Sequence, residues 1–166
     1  MNGSGNDGVR RVSVVLDNLR SAHNVGNIFR LAEAVSASEV ICCGYTPAPP
    51  HPKLEKTAMG AEKLVPCRTF RTAREAVDRL HEEGVRVIAV ETVPGAADAC
   101  GFRYPLPLAL VFGNEALGIS PDALAAADGT VSLPMLGKKA SINVGNCAAV
   151  VLYAVARQFN KEDGTP

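Results

Sequence analysis

Short apolar runs alternate along the chain with segments in which apolar residues recur every three or four positions. "VSVVL" (12–16), "EVICC" (39–43), "RVIAV" (86–90), "LALVF" (108–112) and "GTVSLP" (129–134) are the predicted strands, with "KLVPC" (63–67) as a short edge strand. Helical periodicity predicts helices over 24–35, 71–83 and 141–159. "YTPAPPHPK" has too many residues without an N–H donor for a helix or a central strand, and it is expected to be a surface loop. This alternation implies an α/β fold, a mostly parallel sheet with helices on both faces. There is no internal repeat or long linker, and 166 residues, 47% of them hydrophobic, suit a single domain. Residues 11–160 are assigned to it, after a polar, flexible N-terminal tail at 1–10.

In open parallel sheets ligands gather at the loops leaving the carboxyl ends of the strands. Three such loops are unusually rich in Gly, Asn and Ser: "DNLRSAHNVGN", "GNEALGIS" and "LGKKASINVGN". Gly113 and Gly118 have the spacing of a phosphate loop, but Ile119 and Ser120 follow where a lysine and a hydroxyl are needed. No dinucleotide fingerprint follows the first strand either, which leaves a small nucleotide-binding protein without support. In the helix from Asn24, residues Val25, Ile28, Phe29, Ala32 and Val35 share one face and Arg30 lies nearly opposite. Spacing alone makes Arg30 a solvated charge, Asn24 an N-cap and Glu115 a helix-start carboxylate. The last helix is apolar nearly all round, which requires cover on most sides, by a partner subunit or by a deep core.

Composition removes several classes. Seventeen basic residues balance seventeen acidic ones, so any nucleic-acid contact must come from a local patch. The five cysteines form no Cys-x-x-Cys pair and the three histidines (His23, His51, His81) show no ligand spacing. No metal site is expected; the cysteines are expected to be buried in a reducing compartment, and the histidines to lie on the surface or in loops. No segment has the roughly 18 uninterrupted apolar residues of a membrane span, and a cytoplasmic protein is expected.

Taken together, "NVGNIFR", "KTAMGAEKLVP", "LVFGNEALGIS" and "LPMLGKKASINVGNCAAVVLYAVAR" resemble, in order and over about Val12 to Gln158, the SpoU-type RNA ribose 2′-O-methyltransferases of the SPOUT superfamily. One departure is Gly145, where the family's third motif usually carries serine. The resemblance implies a deep C-terminal trefoil knot, an exception to the rule of unknotted chains. It implies S-adenosyl-L-methionine bound in the knotted loops, by Val90, Glu91, Thr92, Gly113, Asn114, Gly118, Leu133, Met135, Ser141 and Ile142. It also implies a homodimer with the active site at the subunit interface, which Arg30 would then face.

For the chemistry the resemblance points to Arg30, Asn24, Glu115, Ser141 and Asn143. Asn24 would orient the substrate or Arg30, Glu115 would hold its loop and Arg30, and Ser141 and Asn143 would fix cofactor and ribose. Family accounts make the matching arginine a general base, but a guanidinium keeps its proton in proteins. A charge-assisted donor to the developing alkoxide or a neighbouring RNA phosphate fits it better. RNA is the expected partner, transfer RNA in preference to ribosomal RNA, because the chain leaves no room for an extra RNA-binding domain. Arg10, Arg11, Arg20, Lys53, Lys56, Lys138 and Lys139 are candidates for a phosphate-contacting rim. The alternative class is a non-catalytic RNA-binding dimer that keeps the fold.

Overall fold

Strands covered on both faces read as unbroken apolar runs, and the four longest runs become the centre of one sheet. The computed structural model describes residues 10–162 and Gly164; the tail expected at 1–10 therefore lies, except for Arg10, outside the described residues. The strands are β1 (Val12–Asp17), β2 (Glu39–Cys43), β3 (Cys67–Phe70), β4 (Arg86–Val90), β5 (Ala97–Asp98), β6 (Leu108–Gly113) and β7 (Gly129–Ser132). Their order is β3-β2-β1-β6-β4-β7-β5, and every neighbouring pair is parallel. The helices are α1 (Ala22–Ala34), α2 (Pro52–Ala58), α3 (Ala61–Leu64), α4 (Ala73–Glu82), α5 (Pro121–Ala126) and α6 (Val144–Glu162).

Side chains alternate across each strand, and the core divides accordingly. Val14, Leu16, Leu110 and Phe112 pack under α1, α2 and α6, against Ile28, Phe29, Leu54 and Val151. Val15, Val87 and Val111 face the other way, onto Val77 and Leu80 of α4 and Ala123 of α5. Each buried Leu or Phe contributes about 1.5–3 kcal/mol. Along α6 the buried stripe is Ala148, Val151, Leu152, Val155 and Phe159, while Val150 and Tyr153 are 44% and 49% exposed.

Several boundaries differ from expectation. The edge strand is Cys67–Phe70 rather than 63–67: Pro66 has no N–H for the ladder, and only its carbonyl pairs, accepting from Val40 N at 2.9 Å. The preceding residues instead close the short helix α3. The proline-rich loop ends at His51, because Pro52 occupies the first helical position of α2, where a missing N–H costs nothing. The N-cap of α1 is Ser21, whose hydroxyl accepts Asn24 N, so Asn24 lies inside the helix. Strand β7 stops at Ser132, and α6 begins at Val144 rather than at 141. Cys42 and Cys43 are buried, but Cys67 and Cys100 are exposed.

The amino ends of the strands carry an ion-pair cluster. Glu39 accepts from Arg11 at 3.0 Å, Arg68 at 2.7 Å and Ser13 at 2.6 Å. Glu83 pairs with Arg68 at 2.8 Å and also with Arg11. Arg11 is thus consumed in the fold, and Arg10 donates to Phe159 O at 2.9 Å. Both sit at the end of the sheet away from the Gly- and Asn-rich loops, which removes them from the expected rim.

Candidate active site

The carboxyl ends of β4, β6 and β7 open onto a cavity of about 450 Å³. Its far wall is the stretch 141–147 that leads into α6. Close backbone approach explains the glycines at its mouth. Asn114 and Gly118 exchange backbone hydrogen bonds of 3.0 and 2.9 Å, closing a tight turn. A Cβ on Gly113 would lie 2.3 Å from the Gly118 carbonyl carbon. One on Gly118, whose φ is +72°, would lie 2.4 Å from a Glu91 oxygen. The phosphate-loop spacing is therefore a packing requirement of this turn.

The polar side chains fall into two sets. Asn114 is fully used by the protein: its oxygen accepts Ala116 N and Leu117 N, and its amide donates to Asn18 O and to the Tyr45 hydroxyl, both at 2.8 Å. Its backbone N–H is committed as well, to the Gly118 carbonyl. Glu91 accepts from Ile119 N at 2.8 Å and Thr92 N at 3.1 Å, fixing the loop after β4 to the turn after β6. Glu115 reaches across to the entry of α1. It accepts from Arg20 N at 3.1 Å, Ser21 N at 3.3 Å and the Asn24 amide at 3.2 Å. Burial pushes its carboxyl up, but the N–H groups of Arg20 and Glu115 itself, the Asn24 amide and the Ser21 N–H outweigh this and hold it below the ordinary range. Glu115 is an anchored anion rather than a base.

From Glu115 the chain of contacts continues inward. The Asn24 oxygen accepts the Asn143 amide at 3.2 Å, and the Asn143 oxygen accepts Gly145 N at 2.8 Å and Asn146 N at 3.2 Å. Asn143 thereby caps α6 while its amide holds Asn24, so one side chain links the first and last helices at the cavity. At Gly145 a Cβ would meet the Asn143 oxygen at 3.1 Å, a tight fit, and the cap is complete without a hydroxyl there.

The ten residues expected to hold a cofactor all line this one cavity, as do Glu115, Ser141 and Asn143. Asn24 stands one hydrogen bond behind the wall. Arg30 does not join them: it is exposed on α1, and its guanidinium meets Met59 Sδ at 3.3 Å. Neither Asn24 nor Glu115 bonds Arg30. Phe112, Ala116, Ser132, Val144 and Cys147 also line the cavity and had not been singled out. Cys147 lies one turn along α6 from Asn143, so helical spacing could have found it. Its thiol is pushed up to about 11 by burial and then by the Glu91 charge, which favours the protonated thiol at neutral pH.

The lining contains two carboxylates, Glu91 and Glu115, and no lysine, arginine or histidine. Such a cavity disfavours a phosphate-bearing ligand and suits a cationic one. No group of three His, Cys, Asp or Glu residues that could hold a metal ion occurs among the described residues.

The family model described as the SpoU rRNA Methylase family matches residues 11–153. The chain is 36% identical over 147 residues to the tRNA (guanosine(18)-2′-O)-methyltransferase of Thermus thermophilus, covering 89% of this chain and 75% of that protein. It is 30% identical over 151 residues to the 23S rRNA (uridine(2479)-2′-O)-methyltransferase of Streptomyces viridochromogenes, covering 89% of this chain and 53% of that protein. The crystal structure of the SpoU methyltransferase AviRb from Streptomyces viridochromogenes in complex with AdoMet aligns with a TM-score of 0.84 at 27% identity. That alignment covers 96% of this chain and 63% of the other.

Proposed function

Because the chain belongs to the SpoU rRNA methylase family, we propose that it is an S-adenosylmethionine-dependent RNA ribose 2′-O-methyltransferase. The observation that carries this reading is the cavity at the strand ends, anionic and free of cations, which meets a sulfonium with Glu91 and Glu115. Its apolar walls, Phe112, Leu133, Met135 and Val144, suit the adenine, and the exposed loop backbone supplies polar contacts. When bound, the cofactor supplies a methyl carbon open to in-line attack by a ribose 2′-oxygen.

What the protein contributes is position and charge. Glu115 and Asn24 fix the loop beside the cavity, and Asn143 holds Asn24 against α6. Ser141 and Asn143 hold cofactor and ribose. Arg30 donates a charge-assisted hydrogen bond to the developing alkoxide or the adjacent phosphate, and the proton leaves to phosphate or water. Arg30 does not line its own protomer's cavity, so this role belongs to a homodimer in which the site is shared. The exposed apolar side chains Met59 beside Arg30, and Val150 and Tyr153 on α6, support such a pairing. A trefoil knot in the loops 110–118 and 133–142 is part of the same reading, as is a cytoplasmic enzyme; no helix among the described residues is long and apolar enough to cross a membrane.

Transfer RNA is the preferred substrate, in line with the name of the Thermus relative; ribosomal RNA is second, in line with that of the Streptomyces relative. The test is transfer of labelled methyl from S-adenosylmethionine to total tRNA and, separately, to rRNA, followed by nuclease digestion and mass spectrometry. A 2′-O-methylated nucleoside from the tRNA pool is expected. Cofactor binding without transfer to either pool would instead favour the non-catalytic dimer.

A further inference from the structure

The sequence is neutral, but the structure distributes its charge unevenly. Arg11, Arg68, Arg71, Arg74, Arg79, Arg86 and Arg103 all meet carboxylates. Arg20, Lys53 and Lys56 meet none among the described residues, and these three line one cavity of about 550 Å³ between the loop entering α1 and helix α2. His23 and His51 complete its polar wall, and no carboxylate lines it. Glu55, on the same helix, lies outside the lining. Its charge is the reverse of the cofactor cavity's.

The two cavities share a partition. Residues 20–23 form one wall of the cationic cavity, and Glu115, from the lining of the other, grips this segment through Arg20 N and Ser21 N and the adjoining Asn24 through its amide. A ribose brought to the Glu115 side carries a phosphate on either flank, and Arg20, Lys53 and Lys56 stand across this partition. A second observation points to a ligand. His51 Nδ1 is the one buried side-chain nitrogen or oxygen without a hydrogen-bond partner among the described residues. Leaving it so is unfavourable, and turning the ring towards the cavity would give it an anionic acceptor.

We propose that the cavity lined by Arg20, Lys53 and Lys56 seats a phosphodiester of the substrate RNA next to the nucleotide that is methylated. The proposal rests on the methyltransferase reading but adds a site to it. Electrostatic attraction to unpaired cations carries the binding, and it therefore responds to salt.

Lys53 and Lys56 are exposed, so the fold survives their replacement. The experiment is filter binding of unfractionated tRNA to the intact protein and to the Lys53→Ala/Lys56→Ala variant between about 50 and 200 mM salt. The double variant should bind tRNA more weakly, with the salt slope shallower by roughly 1.4–1.8, or about 0.7–0.9 per lost phosphate contact. Its affinity for S-adenosylmethionine should be unchanged, and Lys53→Arg/Lys56→Arg should restore the slope. An unchanged slope would overturn the proposal, as would an equal loss of cofactor affinity or a wild-type protein that binds no tRNA. A wild-type protein that binds tRNA with a lysine-dependent slope but transfers no methyl would sink the methyltransferase reading and leave the phosphate seat standing.

Discussion

Replacing Arg30 by Ala removes a guanidinium that no carboxylate neutralises among the described residues. On the proposed mechanism methyl transfer should fall at least about 10²-fold, the scale for losing one preorganised donor to a developing oxyanion. Cofactor affinity, measured by titration calorimetry, should stay within error, and a loss of affinity would contradict the role. Glu115→Gln tests the partition. The carboxylate accepts three N–H groups, whereas an amide turns an NH₂ group towards at least one of them. Because Glu115 is exposed, a loss of only about 0.5–1.5 kcal/mol in urea denaturation is expected, with transfer lowered alongside. Residue by residue, the sequence was legible where a motif marked a contact. The Gly113 and Gly118 spacing located the turn but not its purpose, because only the backbone approach shows that Glu91 and the Gly118 carbonyl leave no room for a Cβ. For Arg30 the helical spacing gave its orientation, away from the apolar stripe, and could give nothing about what it faces.

Among the elements, α1 and α2 depend on one glycine. A Cβ on Gly26 would lie 1.9 Å from Thr57 Oγ1 and 2.4 Å from Leu54 O, the second of which is backbone. Alanine is otherwise the better helix former by about 1 kcal/mol. Here the clash should win, and Gly26→Ala should cost about 1–3 kcal/mol in urea denaturation, the usual penalty for overpacking. A stabilised variant would show that α2 can shift freely. The glycine of "NVGNIFR" thus serves the crossing of two helices, although the motif gave no hint of the second. Helix α2 was hidden behind a run of prolines that reads as loop, and only the position of Pro52 at its start reconciles them. The start of α6 was misplaced for a related reason: Ser141, Ile142 and Asn143 continue the apolar and small-residue pattern, but Asn143 uses its side chain to cap the helix. The main strands were read well, because burial on both faces leaves a signal that no loop imitates.

Across the molecule, chemistry and stability sit at opposite ends of one sheet. The cavity occupies the carboxyl ends of the strands, and the Arg11–Glu39–Arg68–Glu83 cluster ties the amino ends. Hydrogen bonds from Arg68 and Arg11 hold the Glu83 carboxyl down at about 2. Burial pushes Glu39 up, but Arg68, Ser13 and Arg11 more than compensate, and its pKa is lowered too. A carboxyl ionised more readily in the folded state than in the unfolded chain stabilises the fold above its ordinary pKa, about 4.3. That contribution is lost as pH falls towards about 2. The urea midpoint should therefore hold down to about pH 5 and then drop, with a shallower drop in an Arg68→Ala variant. Sheet order also has a consequence in time. Strand β1 lies between β2 and β6, and β4 pairs only with β6 and β7. While the ribosome is still making the first hundred residues, β1 has one open edge and β4 has no neighbour to join. The sheet can close only once Leu108–Gly113 emerges, so a nascent chain stalled before that strand should be cut by protease at β4, and one held on the ribosome by an added C-terminal linker that lets α6 emerge should resist.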